Sequence, residues 1–153
     1  MTLLVRPITR DDADATTRMA REATQYLVEL GDKVTFCLTR ERYLADGFGP
    51  NPAFNGFIAF SGEKPVGYLL YCMGYDADKA HRVLWVIDLF VRGDTRGLGV
   101  GKALMRQAQE QCRAVGGKEL LWAIYKPNKS ARDFYDRFGG HVLADLDWMA
   151  IDA

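Results

Sequence analysis

Between Val83 and Lys102 the chain sets an apolar run, Val83-Leu84-Trp85-Val86-Ile87-Asp88-Leu89-Phe90-Val91, directly before a glycine-rich turn and an amphipathic stripe. A run apolar on both faces except at Asp88 has to be covered from both sides, which predicts a central strand. The stripe after the turn, Val100, Leu104, Ala108 and Cys112, recurs every fourth residue and predicts a helix that Gly116-Gly117 ends. Glu119 to Tyr125 reads as the next strand, so the middle of the chain is a βαβ-like unit in a mixed α/β protein.

The flanking segments fit that class. Leu3 to Ile8 predicts a short strand with Pro7 near its end. Asp11 or Asp12 can cap a first helix and Gly31 can close it, with Met19, Ala23, Leu27 and Leu30 as its apolar stripe. Thr39 caps a second, shorter helix through Ala45, stopped by the loop that opens at Asp46. Phe57 to Phe60 and Val66 to Met73 predict a hairpin turned at Ser61 to Pro65, and a polar loop from Gly74 to His81 leads into the central strand. Lys129 to Phe138 predicts a last short helix stopped by Gly139-Gly140, and His141 to Ile151 can add one or two strands. With 153 residues and neither repeat nor linker, one domain over residues 1–153 is expected.

Twenty basic and twenty acidic residues cancel, which argues against a nucleic-acid or membrane-surface partner. Their distribution is uneven. Nine of the basic residues, but only Asp94, Glu110 and Glu119 among the acids, lie between Arg92 and Arg132. An anion therefore belongs in that stretch, although a solvated basic face would give the same count. No apolar run reaches the roughly 18 residues of a membrane span. The start of the chain lacks a signal-peptide layout, and Cys37, Cys72 and Cys112 are odd in number and outside metal-ligand spacing. Reduced thiols in a cytoplasmic protein, without a metal, are the expectation.

The turn Arg92-Gly93-Asp94-Thr95-Arg96-Gly97-Leu98-Gly99-Val100-Gly101-Lys102 brings backbone close to a ligand at the start of a helix, where the first N–H groups lack partners. With the helix dipole these form a phosphate site. A Walker A loop would need Gly at Arg96 and Ser or Thr at Ala103, and a dinucleotide fingerprint would need an acid closing the next strand, where Glu119 opens it. Glycines serving only tight packing are the competing reading.

Arg96, Gly99 and Gly101, in the order Arg-x-x-Gly-x-Gly, resemble the coenzyme A loop of the GNAT acetyltransferase superfamily. Asn128 to Gly139 is similar to that family's Asn-x-x-Ala-x-x-Phe-Tyr-x-x-x-Gly segment, in the same order along the chain. Leu38 to Gly49, Tyr75-Asp76, Asp88 to Val91 and Arg6-Pro7 further resemble the spermidine/spermine (diamine) acetyltransferase branch. The resemblance implies a central sheet of about six to seven strands flanked by about four helices. It also implies a homodimer with acetyl-CoA as acyl donor. Cofactor contacts are then expected from Leu89, Phe90 and Val91, from Arg96, Gly97, Leu98, Gly99, Val100, Gly101 and Lys102, and from Asn128. Tyr26, Ile87 and Tyr75 are expected to face the acceptor.

Acidic residues that meet a polyamine in that branch fall here on Leu27, Ile87 and Lys126. An apolar side chain does not repay the desolvation of an ammonium and a lysine repels it, so an amine other than a classical polyamine is expected. Tyr135 is the candidate acid: a phenol titrating near 10 stays protonated at neutral pH and can protonate a departing thiolate. It lies two helical turns from Asn128, on the same face. Asp88 is the candidate base or amine contact, with a structural polar role as the competing reading. His81 and His141 show no partner carboxylate at suggestive spacing, and Cys112 belongs to the core stripe. The expected function is acetyl-CoA-dependent N-acetylation of a small primary amine. Acetylation of proteins and an acyl-CoA-binding sensor without turnover are the alternatives.

Overall fold

The computed structural model describes residues 2–153, in two compact units, Met1–Ala123 and Ile124–Ala153. The first unit is a five-stranded sheet in the order β1-β2-β3-β4-β5 with three helices. Strands β1 (Leu3–Pro7), β2 (Asn55–Ser61), β3 (Lys64–Asp76) and β4 (His81–Val91) form an antiparallel meander. A crossover through α3 (Val100–Ala114) then returns the chain to β5 (Gly117–Leu121), parallel to β4. This is the expected βαβ-like unit.

The six consecutively buried residues lie on β3, from Val66 to Tyr71, and not on β4. β3 is the middle strand, whereas β4 exposes Ile87 to 46%. The reason is a bulge. Leu70 pairs with Asp88 and Tyr71 with Val86, so Ile87 is an extra residue with no partner on β3. Such an insertion bends the strand and sharpens its twist. β5 pairs with β4 only as far as Trp85–Leu121, so it ends four residues short of the expected Tyr125.

The two faces of the sheet carry separate cores. On one, α3 lays Val100, Leu104, Met105, Ala108 and Cys112 against the strands, all nearly inaccessible. Gly67 on β3 lets the helix start close in, since a side-chain carbon there would lie 2.8 Å from the Phe90 carbonyl oxygen and 3.1 Å from Val100. On the other face, α1 (Ala13–Glu29) and α2 (Arg40–Phe48) bury Ala13, Met19, Ala20 and Tyr43 against Ile58, Tyr68, Leu70 and Phe90. Burying each large side chain stabilises the fold by roughly 1.5–3 kcal/mol.

Helix entry differs from expectation in one respect. Asp12 does not cap α1 with its side chain; a short 3-10 turn, Arg10–Asp12, precedes the helix instead. The Asp12 carboxylate is claimed by Arg6, whose guanidinium makes two parallel bonds of 2.7 and 2.8 Å, and by the Thr9 N–H at 2.7 Å. Thr39 does cap α2, accepting from the Arg42 N–H, but that helix runs three residues past Ala45 to Phe48. An Arg42–Asp46 pair one turn apart supports the extension.

The second unit holds α4 (Lys129–Phe138), with Asn128 as its cap and Gly139 at φ 102° closing it. Residues 141–153 form no strand, so the sheet has five strands rather than six or seven. Leu146, Trp148, Met149 and Ile151 stay exposed there. Among the described residues no helix is long and apolar enough to cross a membrane.

Burial pushes the Asp12 carboxyl up, but the Arg6 guanidinium and the Thr9 bonds outweigh it and hold the carboxyl below its ordinary value of 3.8. A depressed folded value stabilises the fold above 3.8, and that contribution disappears as the pH falls through the lower folded value. Asp12→Asn should cost about 2 kcal/mol at pH 7. In urea titrations the gap to the parent chain should close as the pH is taken well below 3.8.

Candidate active site

The turn after β4 is built as a cradle. Arg92 N–H binds the Val66 carbonyl at 2.9 Å, and Thr95, itself buried, returns both its N–H and its hydroxyl to the Arg92 carbonyl at 3.0 Å. The chain then turns through Gly97 at φ 78° and Gly99 at φ 86° into α3. At both glycines a side-chain carbon would enter open space, so the backbone there is bare toward solvent.

Gly99 caps α3 without a side chain, and the first bond reaching back is Ala103 N–H to the Gly99 carbonyl, 2.9 Å. The amides of Val100, Gly101 and Lys102 thus have no carbonyl behind them. No acid stands in this first turn, unlike α1 with Asp14 and α2 with Glu41. Exposed Lys102 adds a positive charge. Bare backbone, unpaired amides and a cation suit a pyrophosphate.

Arg96 reaches back to the strand and across to α1. It donates from Nε to the Val91 carbonyl at 3.0 Å and stacks over the Tyr26 ring of α1, 4.5 Å from its centroid. Tyr26 is therefore brought to the glycine turn. Leu98 is 56% exposed beside it.

Upstream, β4 offers a second feature. Past Trp85 no strand among the described residues pairs with its β5-side edge, which leaves one row of backbone groups from Val86 to Val91 outside any ladder, with the Val91 carbonyl taken by Arg96. Leu89, Phe90 and Val91 lie in that stretch, still paired to β3 on the opposite edge. An open edge accepts an extended, amide-bearing ligand as an added strand would be accepted.

Asp88 sits on the same open stretch, against the α1–α2 core. The Tyr68 hydroxyl donates to its Oδ2 at 2.5 Å. Burial raises the Asp88 carboxyl above its ordinary range, while the Tyr68 hydroxyl and the Leu89 N–H restrain the rise. Burial, and then the charge of Asp88, push the Tyr68 phenol well above 10, so it remains a donor. Tyr68 went unnoticed in the sequence because it reads as one aromatic in an apolar strand. Its signal is positional: Tyr68 pairs with Phe90, which puts it diagonal to Asp88 on one face.

Tyr75 stands apart from this group. It pairs with Arg82, whereas Asp88 pairs with Leu70, so the two lie five residues apart along β3, roughly 17 Å. In the second unit Asn128 uses its carboxamide oxygen to cap α4, accepting from the Ala131 N–H at 3.1 Å. Tyr135 follows on the same helix, packed edge-on against Phe134.

His81 has a partner after all. Its Nε2 lies 3.3 Å from Glu119, which the parallel β4–β5 pairing brings from 38 residues away. Asp76, His81 and Glu119 place ligand-type atoms within 4.8 Å of one another. The Lys79 ammonium, 2.9 Å from Glu119 and 3.8 Å from Asp76, supplies a cation to that cluster.

The glycine cradle at the start of α3 suits a donor that carries a pyrophosphate. The profile of the Acetyltransferase (GNAT) family matches residues 16–140, and the chain belongs to that family as an N-acetyltransferase. It is similar to a thialysine N-epsilon-acetyltransferase of Bos taurus, 28% identical over 153 residues, spanning 95% of this chain and 88% of the relative. A spermidine/spermine N(1)-acetyltransferase-like protein of Homo sapiens is 28% identical over 134 residues, spanning 72% of this chain and 19% of that protein. Among solved structures, an integron cassette protein from the mobile metagenome of V. cholerae shares the fold at a TM-score of 0.82. It is 20% identical, with 100% of this chain and 94% of that one covered.

Gly99→Ala tests the cradle. Its added carbon meets no neighbour, so only the left-handed backbone resists it, at about 1–2 kcal/mol of stability. Coenzyme A should nevertheless bind about tenfold more weakly in calorimetry, because the carbon stands where phosphate oxygens approach.

Proposed function

We propose that the protein transfers an acetyl group from acetyl-CoA to the primary amine of a small molecule that is not a classical polyamine. The open edge of β4 leading into the glycine cradle is the observation that carries this reading. An extended amide-bearing arm fits the first and a pyrophosphate the second, so one ligand joining both fits the pair. Relatives named for thialysine and L-ornithine support an acceptor with an amino-acid character.

The acceptor half supports the same choice. By the resemblance to the diamine acetyltransferase branch, Leu27 and Ile87 fall where that branch carries acids, and Ile87 is the exposed residue of the bulge. One carboxylate, Asp88, remains beside it. Held by Tyr68 and lifted by burial, it takes a proton from the attacking ammonium, directly or through water. The amine's lone pair then forms the C–N bond as the C–S bond breaks. Backbone N–H groups on the open edge of β4 polarise the thioester carbonyl, a contribution of position and charge that needs no covalent enzyme intermediate. Tyr135 protonates the departing thiolate, Asn128 holds the start of its helix, and Tyr26 lies on the acceptor side.

The protein works as a homodimer in the cytoplasm on this account. The exposed apolar residues of the 141–153 segment support a second copy, and three free cysteines support a reducing compartment. Residues 1–153 act as one functional domain.

Free-thiol release from acetyl-CoA against thialysine, ornithine, lysine, putrescine, spermidine, an aminoglycoside and a lysine peptide tests the reading. Selective turnover of the amino-acid amines supports it; turnover of the peptide alone would make the chain a protein acetyltransferase. Tight coenzyme A binding with no turnover of any amine would make it a sensor. Tyr135→Phe should lower kcat about a hundredfold while coenzyme A still binds.

Tyr68→Phe should move the acidic limb of the kcat/KM profile to higher pH. The lost hydroxyl was holding the Asp88 value down, and the base is active only above it. An unchanged limb would remove Asp88 from the base role.

A further inference from the structure

Two arginines four residues apart bracket the turn after β4, and each reaches a residue of α1. Arg96 stacks on Tyr26 at 4.5 Å, and Arg92 Nε lies 3.6 Å from Glu22 Oε2. Glu22 and Tyr26 are themselves four apart, one above the other on the helix surface. The turn is thus gripped at both of its ends by one face of α1. The contacts are unequal. A half-exposed ion pair at 3.6 Å contributes little in water. A guanidinium that lies over a tyrosine ring, and is tied by Nε to the Val91 carbonyl at 3.0 Å, is fixed at two points.

From this we infer that Arg96 is a positioning residue: it staples Tyr26 of α1 to the end of β4, and thereby sets the approach of Gly97 and Gly99 into α3. Tyr26 accordingly serves coenzyme binding through Arg96, besides lying on the acceptor side. The role rests on the acetyltransferase reading above. It follows from three facts of geometry. The Nε donor is already used by a main-chain carbonyl. One face of the guanidinium is covered by Tyr26, with Phe90 a further 5.9 Å contact. And Arg96 directly precedes Gly97, the first left-handed residue of the cradle, so any swing of the side chain's backbone anchor moves the amides behind it.

A charge at this position and a staple at this position answer differently to substitution. Lysine keeps the positive charge but has neither a flat face to stack nor an Nε to donate. Calorimetric binding of coenzyme A to Arg96→Lys, Arg96→Gln, Tyr26→Leu and the Arg96→Gln/Tyr26→Leu double variant decides between them, with thermal melting of each as a check on folding. The staple predicts a loss of about 3- to 10-fold for Arg96→Lys, Arg96→Gln and Tyr26→Leu alike. The double variant should lose no more than the worse single one. Arg96→Lys binding like the parent, or Tyr26→Leu leaving affinity unchanged, overturns the staple while leaving the acetyltransferase reading intact. A parent chain that does not bind coenzyme A overturns that reading and the staple with it.

Discussion

One residue too many in β4 governs what the rest of the structure can do. With Ile87 unmatched on β3, the strand bends, β5 parts from it after Trp85, and the last six residues of β4 keep one edge unpaired. A central sheet normally consumes its own backbone groups, because unpaired buried amides are costly. Here they are left open beside a turn whose glycines and helix start are also unsatisfied. The same stretch of chain thus presents two successive rows of donors, one shaped for an extended arm and one for an anion.

The bulge also explains the placement of charge. It allows Ile87 to emerge while Asp88 keeps its place opposite Leu70, close enough to Tyr68 for a hydrogen bond. A carboxylate in so apolar a setting is expensive unless it is bonded. Tyr68 and the Leu89 amide meet that cost partway, and what remains of it shows as a raised affinity for protons. Stability and reactivity are therefore set by the same three groups. At the opposite end of the sheet, Lys79, His81, Glu119 and Asp76 form a compensated cluster that joins the β3–β4 hairpin to β5.

Local patterns in the sequence carry much of this. The meander, the crossover through α3, the cap at Thr39 and the glycine turn all follow from residues close together in the chain. The motif pair also points to the family. What escapes is non-local. No spacing reveals that Ile87 is a bulge, because a strand with one extra apolar residue has the same composition as one without. His81 looks solitary until the parallel pairing delivers Glu119, and Tyr68 looks like core until it lies diagonal to Asp88. The contact of Arg96 with Tyr26 is hidden as well, since Tyr26 lies far off in the sequence on α1. Asp12 fails as a cap for a similar reason: Arg6, from the neighbouring strand, offers a stronger bond than the helix amides do. The 141–153 segment has the alternation of a strand, but none of the described residues pairs with it.

The central claim is that one ligand, coenzyme A, engages both the open edge of β4 and the start of α3. Amide hydrogen exchange with and without coenzyme A measures both rows at once, residue by residue. The account predicts slower exchange in two separate blocks, within Val86 to Val91 and within Gly97 to Lys102, at the same ligand concentration. Protection confined to the α3 start, with the β4 edge exchanging as before, would mean that the cradle holds an anion but the strand does not hold the arm. Protection in neither block, with the ligand bound, would place the site elsewhere in the molecule.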